Sequence, residues 1–175
     1  SSPDQLKIEE IRNGSVVNAW HWTQTGSNWS FSKGDGLIFT ELTRVGAFDE
    51  NTAVGATRTE RRKLKNANNE VASDILKTYE MFDWGEELVS EARDPDGVNR
   101  VTQYHYHDED NASDNYARLK LEIGPFGGWS YYTYDSADRT HKIISQHKNY
   151  SAPSSSTLPS GMTVYENANR VVEYL

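Results

Sequence analysis

The sharpest pair of potential metal ligands in the sequence is His105-x-His107. On a strand, residues two apart project to the same side, so both imidazoles could hold one ion. Asp108, Glu109 and Asp110 follow at once and offer carboxylates. A metal held there would activate water for hydrolysis. The same histidines alternate with Tyr104 and Tyr106. That alternation accounts for them more simply as the polar face of a hairpin, so no metal or other cofactor is expected. A calcium loop at Asp108-x-Asp110 fails because Ala112 breaks the alternation and no glycine follows.

The tryptophans are the second group with chemical potential. Trp20-His21-Trp22, Trp29 and Trp84 could form an aromatic platform for sugar rings, and Trp129 extends the set. The competing use is burial, because the aliphatic residues are few. Catalytic motifs are missing: there is no Gly-x-Ser-x-Gly elbow, and Gly34-Asp35-Gly36 is too short for a phosphate loop. Four sequons occur, at Asn13, Asn28, Asn111 and Asn149. They matter only on a glycosylating export route.

Composition narrows the classes. The chain has 175 residues, a net charge of −8 and no Cys. Leu, Ile, Val and Phe together number 33, few for a folded domain of this length. Five Trp and ten Tyr supply burial that the aliphatic count misses. The expectation is a folded domain with a thin, aromatic core that relies on neighbours. An acidic chain without a basic stripe is a poor nucleic-acid binder. No apolar run approaches the roughly 18 residues of a membrane span. Without Cys there are no disulfides, no thiolate chemistry and no Cys-type zinc sites. The opening Ser1-Ser2-Pro3 looks processed or excised.

The elements that must position these residues show a period of two. Leu6 to Ile11 reads as a strand closed by an Asn13-Gly14 turn. Val17 to Thr23 is a second strand, with Trp20 and Trp22 on one face. Gly26-Ser27-Asn28 turns the chain into Trp29-Ser30-Phe31, and Leu37 to Leu42 is the most strand-like run of the first half. Short strands joined by Gly, Asn and Asp turns predict an all-β, antiparallel fold. Residues 60–79 carry Leu64, Ala67, Val71, Ile75 and Tyr79 at spacings that also fit an amphipathic helix. Asn66-Ala67-Asn68-Asn69 would instead break the stretch into a long hairpin, so a short helix and a hairpin both stand.

The second half repeats itself. Tyr134-Asp135-Ser136-Ala137-Asp138-Arg139 recurs as Tyr165-Glu166-Asn167-Ala168-Asn169-Arg170. A Ser/Pro loop at 152–161 lies between them, and removing it leaves a period near 21. Arg118, in Tyr116-Ala117-Arg118-Leu119, lies 21 before Arg139 and follows Tyr104-His105-Tyr106-His107. A degenerate copy starts near Leu88, with Asp94-Pro95-Asp96-Gly97 at its turn.

From about Phe82 to Leu175 the chain resembles the Rhs/YD-repeat proteins. Their repeat reads roughly Gly, a gap, Tyr-x-Tyr-Asp, two residues, Gly-Arg and an apolar alternation. Gly128 to Arg139 fits that pattern, with Asp138 where Gly is usual. Asn169 and Ala117 hold the place in other copies. Residues 1–81 share the strand-and-turn style without the motif, and one continuous structural unit is expected. The repeat-defining residues are Tyr104, Tyr106, Arg118, Tyr132, Tyr134, Asp135, Arg139, Tyr165 and Arg170. Stacked tyrosines, an Asp that opens each turn and an Arg laid on a Tyr would join successive hairpins.

The resemblance implies an extended or spiralling β-sheet, of the kind that forms toxin shells or parts of large surface proteins in bacteria. The expected function is a non-enzymatic structural module of an exported or cell-surface protein, serving as shell, stalk or self-assembling subunit. Its partners would be copies of itself or the rest of a parent protein, joined through strand edges such as Arg170 to Leu175. A glycan-binding module built on Trp20, Trp22, Trp29 and Trp129 is the alternative. A hydrolase with metal at His105 and His107 is the second.

Overall fold

The computed structural model describes residues 4–34, 38–108, 115–137, 139–145 and 170–173. Tyr165, the sequons at Asn111 and Asn149, and the loop at 152–161 lie outside these. The fold is all-β and antiparallel, and its contacts divide the chain into two compact units, Ser1–Arg100 and Val101–Leu175. Residue 81, the expected end of the segment without the repeat motif, lies near the end of a strand that pairs onward within the first unit.

Unit 1 is a meander in which each strand pairs with the next. Its strands are β1 (Asp4–Arg12), β2 (Ser15–Thr25), β3 (Asn28–Gly34), β4 (Ile38–Val45), β5 (Thr57–Asn66), β6 (Val71–Phe82) and β7 (Gly85–Arg93). Asn13 and Gly14, at φ 51° and 77°, make the two-residue turn between β1 and β2. Both central positions of such a turn need positive φ, which is why Asn-Gly occurs there.

Residues 60–79 form a hairpin, which removes the helical alternative. Asn66 closes it: its N–H donates to the Glu70 carbonyl at 2.9 Å. Its side-chain oxygen accepts the N–H groups of Asn68 and Glu70, both at 3.0 Å. Asn69 takes φ 65°, which Asn tolerates better than most residues. The turn thus satisfies backbone groups that a helix would have paired internally.

Unit 2 pairs β8 (Arg100–Tyr106), β9 (Leu119–Ile123), β10 (Trp129–Tyr134), β11 (Thr140–Ser145) and β12 (Arg170–Glu173) in sequence order. Its core is Leu121, Trp129, Tyr131 and Ile144, with Ile123 packed against them. Among the described residues, the buried apolar side chains are these four and Ala92 of unit 1. The expected thin, aromatic core is therefore present, and it is concentrated in unit 2.

In unit 1, charged and aromatic groups take over much of the aliphatic role. Arg58 is 8% exposed, its guanidinium 4.1 Å from the Tyr79 ring centroid and 5.6 Å from that of Phe48. It also pairs with Glu86. Arg61 pairs bidentately with Asp74, at 2.9 and 2.6 Å, and also meets Asp96. The Arg61 guanidinium holds the Asp74 carboxyl below the usual carboxylate range. Fixed guanidinium–carboxylate forks of this kind hold strand register more firmly than single-point contacts.

Ala117 is the conformational exception. It adopts φ 61°, which costs an L-residue about 1–2 kcal/mol. Ala117→Gly relieves that strain, against the added freedom of an unfolded glycine, about 0.5–1 kcal/mol. The expected net effect is a stabilisation of unit 2 by about 0.5–1 kcal/mol in urea titrations. A loss of stability would show that the left-handed conformation is not the one adopted at this position.

Candidate functional site

Two constellations stand out: a turn-and-tyrosine assembly in unit 2 and an open tryptophan face in unit 1. The first is built on the β10–β11 hairpin. Asp135, at the end of β10, donates its N–H to the Arg139 carbonyl at 3.0 Å. Its Oδ1 accepts the N–H groups of Ala137 and Arg139, at 2.9 and 3.1 Å. Oδ2 takes the Arg139 guanidinium at 3.0 and 2.8 Å. These bonds, led by Arg139, hold the Asp135 carboxyl below its ordinary range.

The bonding pattern of Asp135 with residues two and four ahead is the same as that of Asn66. Asp94 closes a longer turn, its side chain accepting the Val98 N–H at 2.9 Å. In three places a left-handed residue stands directly before a charged residue that starts the next strand or immediately precedes it. These are Asn69-Glu70, Asn99-Arg100 and Ala117-Arg118. The recurrence of this turn in residues 1–81 was missed in the sequence, because Glu70 replaces the Arg and no Tyr precedes Asn66. An Asx residue followed four positions later by a charged residue just before a strand is the signal that would have found it.

The tyrosines bridge neighbouring strands. The Arg118 guanidinium lies 5.4 Å from the ring centroid of Tyr134, which opens the next copy of the repeat. The Tyr134 hydroxyl donates to the Leu119 carbonyl at 3.0 Å, and the Tyr134 N–H donates to the Asn115 side chain at 2.7 Å. Burial raises the Tyr134 phenol above its ordinary value. Tyr132 shares the strand face of Tyr134 and donates its hydroxyl to Glu122 at 3.4 Å. Tyr104 is paired with Glu122, itself opposite Ser130, and Tyr106 stands two residues on along β8, so both stand on the same side of the sheet as Tyr132 and Tyr134. Arg170 begins β12, opposite Ser145.

The two histidines lie on the opposite, core-facing side. His105 is level with Leu121. His107 is 8% exposed, its Nε2 is 3.0 Å from the Tyr132 carbonyl, and its ring meets Tyr131 edge-on at 5.8 Å. The carbonyl can only accept, so the imidazole donates from Nε2, which takes that nitrogen out of metal binding. Among the described residues, no three His, Asp or Glu side chains gather as a metal site. Burial pushes both histidines down, and Lys120, itself lowered by burial, adds to the effect.

The tryptophans divide. Trp129 is 4% exposed within the core of unit 2 and has no face to offer a ligand, so it leaves the proposed platform. Trp84 stacks on Phe82, with ring centroids 4.6 Å apart. Trp20 and Trp22 share one face of β2 and, with Leu6, Ile8, His21 and Phe31, line an open groove of about 320 Å³. Trp29 stands on that same face under Arg44, whose guanidinium is 5.0 Å from the ring centroid. Asn13 and Asn28 are exposed, and the Asn28 side-chain oxygen accepts the Gly46 N–H at 2.8 Å.

No protein-family profile matches the chain, and no match was found among the curated proteins or the solved structures. Among the described residues, no helix is long and apolar enough to cross a membrane.

The lowered histidines set a pH dependence. Their folded pKa lies below the unfolded value of about 6.5, so the unfolded chain takes up protons first. Their contribution is complete above about pH 6.5 and is lost progressively as pH falls below it toward the lower folded value. Urea midpoints of unit 2 should drop between pH 7.5 and 5.5. His107→Gln, which keeps a donor for the Tyr132 carbonyl, should flatten part of that drop. An unchanged slope would remove His107 from the cause.

Proposed function

We propose that this chain is a non-enzymatic structural module of a YD-repeat-like protein displayed outside the cell, in which stacked hairpins build a shell or stalk. The observation that carries the reading is the repeated turn. One Asx side chain closes the hairpin at Asn66 and at Asp135 with the same set of bonds. Asp94 and Asn99-Arg100 supply an enlarged version. The Arg118–Tyr134 contact joins adjacent repeats within unit 2 by an arginine on an aromatic ring. A fold made by repeating one supersecondary unit gains stability from nearest-neighbour contacts and presents long surfaces, which suits a scaffold.

The second support is chemical. Polar groups of unit 2 are used within the sheet: buried His107 on a backbone carbonyl, half-buried Tyr134 on another, Asp135 on its own turn. These bonds fix strands in place, which is the work of a framework.

The absence of Cys makes a direct test of location possible. Ser136 is exposed at the tip of the Asp135 turn. In the producing organism, Ser136→Cys should be labelled by a membrane-impermeant maleimide on intact cells or in the medium. Labelling that requires cell lysis would overturn the reading.

A further inference from the structure

The face of unit 1 that carries Trp20 and Trp22 has an ordered layout. Strand register arranges it in rows that run across β1, β2, β3 and β4. The first row is Asp4, Gln24, Trp29 and Arg44. The second is Leu6, Trp22, Phe31 and Leu42. The third is Ile8, Trp20, Lys33 and Thr40. Residues of a row point the same way, as do residues two apart along a strand. The centre is therefore apolar, with an acid at the β1 margin and bases on β3 and β4.

This face lies open at its β1 margin, and Trp20, Trp22, Phe31 and Leu42 are half-buried. Leu6 is 56% exposed and Ile8 52%. A sheet with one apolar face normally buries it against a second layer. Exposed apolar patches with polar rims mark interaction sites in soluble proteins.

We infer that this face pairs with the same face of a second copy, forming a two-layer sandwich about a two-fold axis parallel to the strands and between β2 and β3. Self-complementarity is what selects this occupant. Such an axis sets β1 against the partner's β4, and β2 against its β3. Asp4 then meets the partner's Arg44, and Leu6 the partner's Leu42. Trp22 meets the partner's Phe31, and Trp20 the partner's Lys33. Each pairing occurs twice, as an isologous contact requires. Every pairing joins opposite charges, two apolar groups or a cation and an indole, apart from Ile8 with Thr40 and Gln24 with Trp29. The cation–indole pairing already exists within one copy, where the Lys33 ammonium is 5.8 Å from the Trp20 ring. An axis perpendicular to the strands and through the Leu6 row would instead set β1 on β1 with Asp4 against the partner's Ile8, and Arg44 against the partner's Thr40, leaving both charges unmatched.

The contact is small. Four strands at about 4.8 Å and three rows at about 6.8 Å give a flat footprint near 400 Å². That is below the roughly 800 Å² per partner of standard interfaces, so the dimer belongs to the weak, concentration-dependent class.

The inference rests on the structural-module reading, and its test is separable from the labelling experiment. Sedimentation equilibrium of the full chain across about 1–200 µM should show mass rising from 19.9 kDa toward twice that value. Leu6→Asp changes a residue already largely exposed, so the fold should persist by circular dichroism while dimer affinity falls at least tenfold. For register, Leu6→Cys chains mixed with Leu42→Cys chains should be joined by a bismaleimide of about 10 Å span, the separation of packed sheets. Leu6→Cys chains alone should not be. A chain that stays monomeric to 200 µM overturns the inference, as does a dimer indifferent to Leu6→Asp or a preference for 6–6 crosslinks. A monomer whose tryptophan fluorescence responds to soluble polysaccharides would assign the face to a glycan instead. Export of a monomeric chain would leave the structural reading in place and remove the dimer alone. A dimer found only inside cells would do the reverse.

Discussion

The register of each hairpin is the constraint on which the rest of this structure depends. Side chains alternate across a strand, so a slip of one residue exchanges the two faces of the sheet. What fixes register here is turn chemistry. Asn13-Gly14 supplies two positive φ angles, and Asn66 and Asp135 each bond backbone N–H groups two and four residues ahead. A turn closed by its own side chain permits one strand offset. From that offset follow the alignment of Trp22 with Leu6 and Phe31, and of Leu121 with His105 and Tyr131. The aromatic content of the chain becomes useful only because these turns sort it onto faces.

The two units use that sorting differently. In unit 2 one face closes over Leu121, Trp129, Tyr131 and Ile144, while the other carries the tyrosine hydroxyls and Arg118. Placing His107 and Lys120 among the buried groups has a cost in desolvation, visible in their lowered pKa values. The hydrogen bond from His107 to Tyr132 offsets part of it, since it ties β8 to β10 across the intervening strand. In unit 1 the stabilising contacts are polar and lateral: Arg58 between two rings and beside Glu86, and Arg61 on Asp74 and Asp96. Contacts of this kind hold strands side by side. They do not cover a sheet face, and the apolar side of β1 to β4 is left for something else to cover.

Much of this was legible in the sequence, for reasons that individual residues make plain. The period of two and the Gly, Asn and Asp turns gave the all-β class. The helical option for residues 60–79 arose because Val71, Ile75 and Tyr79 are four apart, and four is both close to one helical turn and a whole number of strand periods. Only the turn cluster at Asn66 could break the tie, by offering side-chain bonds that end a strand. Burial was harder to read. Trp129 and Trp22 look alike in sequence, and periodicity tells which residues share a face but not whether that face is covered. His105 and His107 share a side as their spacing predicts, yet the partner of His107 is a backbone carbonyl, a group no motif displays.

The exposed face also gives the composition a physical meaning. A chain with 33 Leu, Ile, Val and Phe among 175 residues has too little aliphatic surface to sheath both sides of so many strands. It can compensate by closing a small core and leaving the rest polar, or by completing its burial with another molecule. Unit 2 takes the first course. Unit 1 has Leu6, Ile8, Trp20, Trp22, Phe31 and Leu42 gathered on one side, with serines, threonines and charges on the other. If that side served only the isolated chain, polar residues would be as good at these positions and safer against aggregation. Their segregation onto a single face, rimmed by an acid and bases in opposed positions, is the arrangement expected of a surface whose second half is supplied from outside.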